Sequence, residues 1–91
     1  MLHKVVKGGR MRLDKFLKVS RLIKRRTVAN EACNAGRVEI NGKVAKSGTP
    51  VNVGNIIKIS FGNNTVNVRV DAIKDTTKKE DADSMFTYLS E

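Results

Sequence analysis

The sequence predicts an α+β fold in which two short helices pack against a small antiparallel sheet and a C-terminal helix follows. Three observations predict it. Apolar residues recur at helical spacing from Leu13 to Leu17, with Ser20 next on the same face, an Asn41-Gly42 pair separates two short alternating segments, and apolar alternation returns from Ile57 to Val70. The stretch from Arg12 to Gly42, RLDKFLKVSRLIKRRTVANEACNAGRVEING, is the centre of the chain: helix, basic turn, second helix, glycine stop, strand and hairpin turn.

The 91 residues make one small domain with a modest core. Residues 1–10 show no apolar periodicity, and Gly8-Gly9 would interrupt a helix. Lys7-Gly8-Gly9 can be encoded by a purine-rich run resembling a bacterial ribosome-binding site just upstream of Met11. Residues 1–10 are therefore expected to be a flexible translated leader, with Met11 as the natural start. The domain proper is expected over residues 11–70, and a C-terminal helix packed on it over 71–91.

Leu13, Phe16, Leu17 and Ser20 fall at i, i+3, i+4 and i+7, one narrow face of the first helix. Arg12, Lys15 and Lys18 occupy its other faces. Asp14 lies in the first turn, where negative charge suits the helix dipole; its expected role is capping, or pairing with a nearby arginine to orient it. Ser20-Arg21-Leu22-Ile23 ends this helix and Lys24-Arg25-Arg26-Thr27 opens the second. Val28, Ala29, Ala32, Cys33 and Ala35 supply its packing face, small enough for two short helices to approach closely.

Gly36 suits the left-handed position that ends a helix. Arg37 to Ile40 alternates as a strand, Asn41-Gly42 turns, and Lys43 to Lys46 returns. Ser47 to Pro50 reads as loop and Val53-Gly54-Asn55 as a turn. Ile57, Ile59 and Phe61 alternate with Lys58 and Ser60; after Gly62-Asn63-Asn64, Val66, Val68 and Val70 alternate with Asn67 and Arg69, which makes a second hairpin with one buried face. Asp75 to Glu80 opens the last helix, with Thr77 and Glu80 at capping-box spacing. Ala82, Met85, Phe86 and Leu89 then form a stripe expected to dock on the domain's own sheet. Phe16, Phe61 and Phe86 are expected in the core.

Charge narrows the function. The net charge is +9, and residues 1–46 carry thirteen Lys or Arg against Asp14, Glu31 and Glu39, whereas residues 47–91 carry five against six acids. So polarised a distribution favours a dedicated face for a polyanion over general solubility. Lys24, Arg25 and Arg26 stand at a helix N-terminus, where each cation opposes the macrodipole at a cost of about a few tenths of a kcal/mol. The same end presents free backbone N–H groups, so cations and amides together suit phosphate oxygens.

Other classes drop out. Cys33 is the only cysteine, so an intramolecular disulfide and a structural zinc set are both excluded, and its helical, apolar context reads as a buried small hydrophobe. The segment from Met11 onward has no histidine, no paired carboxylates on a buried scaffold and no nucleotide-binding glycine loop, so neither enzymatic activity nor a cofactor is expected. No apolar run approaches a membrane span, and a cytoplasmic location is expected. One tyrosine, Tyr88, is no base-stacking platform, so recognition should rest on phosphates and RNA shape.

The run R-L-D-K-F-L, the small-residue second helix, the G-R-V-x-I-N-G-K hairpin and the V-x-V-G-N-x-I turn together resemble the RNA-binding domain named after small-subunit ribosomal protein S4. Residues 11–91 are similar to stand-alone members, the fifteen-kilodalton bacterial heat-shock protein family and, through RLDKFLKVSRLIKRRT and KDTTKKE, the Bacillota family of ribosome-associated quality-control factor P. The resemblance implies an αL-type fold that grips structured RNA. It implies rRNA of an obstructed large ribosomal subunit and its peptidyl-tRNA as partners, alongside a NEMF-family factor, in support of poly-alanine tailing of stalled chains by a monomeric accessory protein. The alternative is a heat-shock-type rRNA binder that rescues free large subunits. Arg12 and Arg26 match the family's RNA-contacting arginines; Lys15, Lys18, Arg21, Lys24, Arg25 and Thr27 surround them, and Arg37 and Lys43 extend the expected phosphate track.

Overall fold

The computed structural model describes residues 11–74 and 78–89; the expected leader lies outside them. In chain order the elements are β1 (Met11–Arg12), α1 (Leu13–Val19), α2 (Arg26–Asn34), β2 (Val38–Ile40), β3 (Lys43–Val44), β4 (Pro50–Val51), β5 (Ile56–Phe61), β6 (Asn64–Val70), α3 (Lys79–Asp83) and β7 (Phe86–Tyr88). β1 and β4 form a two-stranded sheet, and the other strands a five-stranded sheet in the order β3-β2-β5-β6-β7, antiparallel throughout.

The predicted face of α1 is the buried one. Leu13, Phe16 and Leu17 are fully enclosed, and Ser20 closes the stripe at the helix end. The first N–H groups of α1 donate to the loop after β3: Leu13 N to Thr49 O at 2.9 Å and Asp14 N to Ser47 O at 3.1 Å. That loop also carries β4, which pairs Met11 with Val51 and Arg12 with Pro50. Strands of two residues are too short for alternation to reveal, and proline tolerates only such an edge.

α2 begins at Arg26, so Lys24 and Arg25 precede it. Its packing face is narrower than predicted. Ala29 and Cys33, four residues apart, are buried and Ala32 is half-buried, but Val28 is 44% exposed and Ala35 is exposed at the C-cap. One residue along a helix turns the side chain by about 100°, and that takes Val28 off the seam. Gly36, at φ 77°, ends the helix as predicted: its N–H bonds Cys33 O and the N–H of Arg37 bonds Ala32 O, the paired bonds of a Schellman stop.

Asn41 and Gly42 both take positive φ, 52° and 87°, the requirement of a type I′ hairpin turn. In the second hairpin Ile57, Ile59, Val68 and Val70 line the buried face while Lys58 and Arg69 face water. Phe61 departs from expectation. It ends β5 opposite Asn64, at the turn of the hairpin, and is 41% exposed.

The C-terminal segment departs further. The helix ends at Asp83, and Phe86–Tyr88 is a strand on β6, pairing Phe86 with Val70, Thr87 with Arg69 and Tyr88 with Val68. The stripe therefore splits: Ala82 and Met85 are buried at helical spacing, whereas Phe86 is half-buried in the sheet and Leu89 bonds back to Asn67 O. The open ladder of β6 and the β-favouring Phe-Thr-Tyr triplet outweigh the helical period. The expected capping box falls on Thr77, outside the described residues; the helix takes Lys78 as its N-cap without a side-chain cap bond. Met85 belongs to the buried core cluster, with Leu13, Phe16, Leu17, Cys33 and the inner sheet residues.

Candidate nucleic-acid interface

Asp14 is the second residue of α1, and its side chain is 3% exposed. Among the described residues, four side-chain hydrogen bonds converge on it. Arg12 donates Nε to Oδ1 at 3.2 Å and Nη2 to Oδ2 at 3.3 Å, a two-pronged clasp. Arg26 donates Nη2 to the same Oδ1 at 3.5 Å from the first turn of α2. Asn30 donates Nδ2 to Oδ2 at 3.4 Å. The carboxylate thus lies beneath two guanidinium groups whose side chains remain 55% and 48% exposed. Both cations are thus tied to one buried carboxylate while about half of each side chain stays open to solvent.

Burial pushes the Asp14 carboxyl upward, but the hydrogen bonds from Arg12 and Asn30 and the charge of Arg26 outweigh it and hold the group below its ordinary 3.8. A carboxyl lowered by folding binds fewer protons in the folded state. Its contribution to stability is complete above the unfolded value and is lost as pH falls through the folded one. Melting temperature should therefore fall on acidification below about pH 4 more steeply in the native chain than in Asp14→Asn, which lacks this titration. Parallel profiles would show that the network contributes nothing to folding.

Most of the other sequence-predicted cations lie on or beside the same two helices. Lys15 is half-buried on α1, and Lys18 is exposed in its last turn. Lys24 and Arg25 are exposed in the connection, with Arg25 as N-cap of α2 and Thr27 exposed in its first turn. No side chain caps that helix end. Arg37 follows the Schellman stop and passes its carbonyl to Ser60 N, and Lys43 lies on the edge strand β3. The structure joins Arg12 to Arg26 through a shared partner; Arg37 lies between α2 and β2, and Lys43 on β3.

Arg21 stands out by its backbone. Its φ is 67°, the left-handed region, directly after the C-cap of α1. A residue with a β-carbon costs about 1–2 kcal/mol there, and glycine is the usual occupant. Arg21→Gly should raise stability by about 1 kcal/mol while weakening the binding of RNA, the two effects running in opposite directions. Thermal melts and binding titrations on one preparation check it; a destabilised variant would refute the strain.

Sequence reasoning gave Asp14 its arginine partner but missed Asn30 and Asn34. The available signal was the spacing of Arg26, Asn30 and Asn34, four residues apart on one face of α2. Asn34 Nδ2 donates to Asn30 Oδ1 at 2.9 Å, so the chain of bonds runs from Asn34 through Asn30 to Asp14. Among the described residues no buried side-chain polar atom lacks a partner, and no cluster of His, Cys, Asp or Glu is suited to hold a metal ion. Cys33 is buried as expected; burial first, then the charge of Asp14, push its thiol up to about 11, so it stays protonated at neutral pH.

Paired helices against an antiparallel sheet, with a basic seam at the helix ends, define a class of small nucleic-acid-binding domains. Residues 11–57 match the S4 domain family. Over 81 residues the chain is 56% identical to the RQC P-site tRNA stabilizing factor of Bacillus subtilis, covering 89% of this chain and 94% of that protein. It is 54% identical to the factor of the same name from Streptococcus pneumoniae, covering 89% and 92%. A trimeric structure of Vibrio cholerae Heat Shock Protein 15 superposes with a TM-score of 0.81 at 27% identity, over 89% of this chain and 83% of that one. The chain belongs to the S4 domain family and, within it, to the family of RQC P-site tRNA stabilizing factors.

Proposed function

We propose that this chain is a ribosome-associated quality-control factor that holds P-site tRNA on obstructed large ribosomal subunits. It acts by binding and positioning RNA, without enzymatic chemistry or a cofactor. The observation that carries the reading is the convergence of Arg12 and Arg26 on buried Asp14. Two guanidinium groups held beside one carboxylate and open to solvent suit phosphate oxygens of structured RNA. Similarity to the stabilizing factors over nearly their whole length supports the tRNA assignment.

In this reading Lys15, Lys18, Arg21, Lys24, Arg25 and Thr27 widen the anion-binding face around the pair, and Arg37 and Lys43 extend it along the sheet. The RNA is rRNA of the large subunit together with peptidyl-tRNA, and a NEMF-family factor on the same subunit supplies the alanyl-tRNA for tailing. The protein works as a monomer in the cytoplasm. Among the described residues no helix is long and apolar enough to cross a membrane.

The test is co-sedimentation of the native protein with purified large subunits that carry or lack peptidyl-tRNA. Binding should favour the tRNA-bearing subunits, at one copy per subunit. Equal binding to both would leave a general binder of large-subunit RNA, and three copies per subunit would overturn the monomer.

A further inference from the structure

We propose that Asn30 is a positioning residue of the RNA interface, fixing the two arginines through Asp14 without touching RNA itself. The inference rests on the reading of Arg12 and Arg26 as RNA contacts. A carboxylate alone does not define where two flexible cations lie, because it can rotate about its own side-chain bond and offer either oxygen. Here Asp14 has a third partner besides the arginines. Asn30 donates to Oδ2, the oxygen that also takes Arg12 Nη2, while Oδ1 takes Arg12 Nε and Arg26 Nη2. Rotation of the carboxylate would break bonds on both sides at once.

The orientation of Asn30 is set in turn. Its oxygen accepts from Asn34 Nδ2 at 2.9 Å, so its own amide nitrogen is the end turned towards Asp14. Asn30 is half-buried and Asn34 exposed, so the relay runs down the face of α2 from solvent to the buried carboxylate. Arg26, one turn before Asn30, then meets a carboxylate already aimed at it. Support of this kind turns a pair of mobile cations into a fixed fork, and its loss weakens binding by loosening the site without removing a contact.

The experiment compares native protein, Asn30→Ala, Arg26→Ala and the double variant. Solvent exchange of the Arg12 Nε–H is followed by NMR in the free protein, and affinity is measured for purified large ribosomal subunits across a salt series. In Asn30→Ala the Arg12 Nε–H should exchange faster, and affinity should fall about fivefold to tenfold with the salt dependence unchanged. Combined with Arg26→Ala, the loss should be smaller than the product of the single losses, because both changes act through one network. Restoring an amide with Asn30→Gln should recover part of the affinity. Native affinity or unchanged Arg12 exchange in Asn30→Ala would overturn the proposal, and so would strictly multiplicative losses, which mean direct contact with RNA. If Arg26→Ala binds like the native chain, the interface reading itself fails, and the exchange of Arg12 still decides whether Asn30 fixes the pair.

Discussion

Arg12→Ala/Arg26→Ala should lose at least about a hundredfold in affinity for large-subunit RNA, and the slope of log affinity against log salt should drop by about two. The estimate follows from two charge-assisted phosphate contacts, each worth about 1.5–3 kcal/mol. Stability changes as well. Of the four bonds to Asp14 the variant keeps one, from Asn30, and the carboxylate is buried. An uncompensated buried charge is destabilising. Adding Asp14→Asn to the double variant should therefore recover much of the melting temperature without recovering RNA binding. That separation is the informative result. Recovery of both would mean that the arginines serve the fold alone, and an unchanged salt slope would place the phosphate contacts elsewhere.

Phe16→Ala should be the most damaging single core change. Phe16 is the largest fully buried side chain, in the α1 stripe at the centre of the core cluster. Truncating a buried phenylalanine costs about 3–5 kcal/mol, a large share of the 5–15 kcal/mol that holds a domain together. For a domain of this size, that lowers the melting temperature by at least about 12 °C. Phe61→Ala is the matched control. Its ring is 41% exposed at the end of β5, so it should cost less than about 1 kcal/mol. Equal costs at the two positions would contradict the packing described. Chemical denaturation of both variants, with unchanged denaturant sensitivity, checks the pair.

The unequal fate of these two phenylalanines shows how far pattern reading reaches. Both sit at apolar positions of a regular period, and alternation reports which side of a strand faces inward. It does not report where the covering layer stops. Phe86 and Leu89 fail in a related way: their spacing fits a helix, but an unpaired sheet edge beside them makes a strand the better use of the same residues. The Arg12 site was legible as charge and as an arginine–carboxylate pair. Asn30, sixteen residues from Asp14, was not.

Local pattern alone decided the α1 stripe, the Gly36 stop, the Asn41-Gly42 turn, the paired strands β5 and β6 and the concentration of cations in the first half of the chain. Each depends on neighbours within a few residues, on backbone sterics and on charge, all of which are written in the sequence. The tertiary structure decided the pairing of Met11–Arg12 with Pro50–Val51, the strand at Phe86–Tyr88 and the meeting of Arg12, Arg26 and Asn30 on Asp14. Apart from Arg12 and Asp14, which are near neighbours, those contacts join residues far apart in the chain. The packing of α1 against α2 brings Arg26 and Asn30 to Asp14, the Ser47–Thr49 loop on α1 brings β4 to β1, and the edge of β6 takes up Phe86–Tyr88.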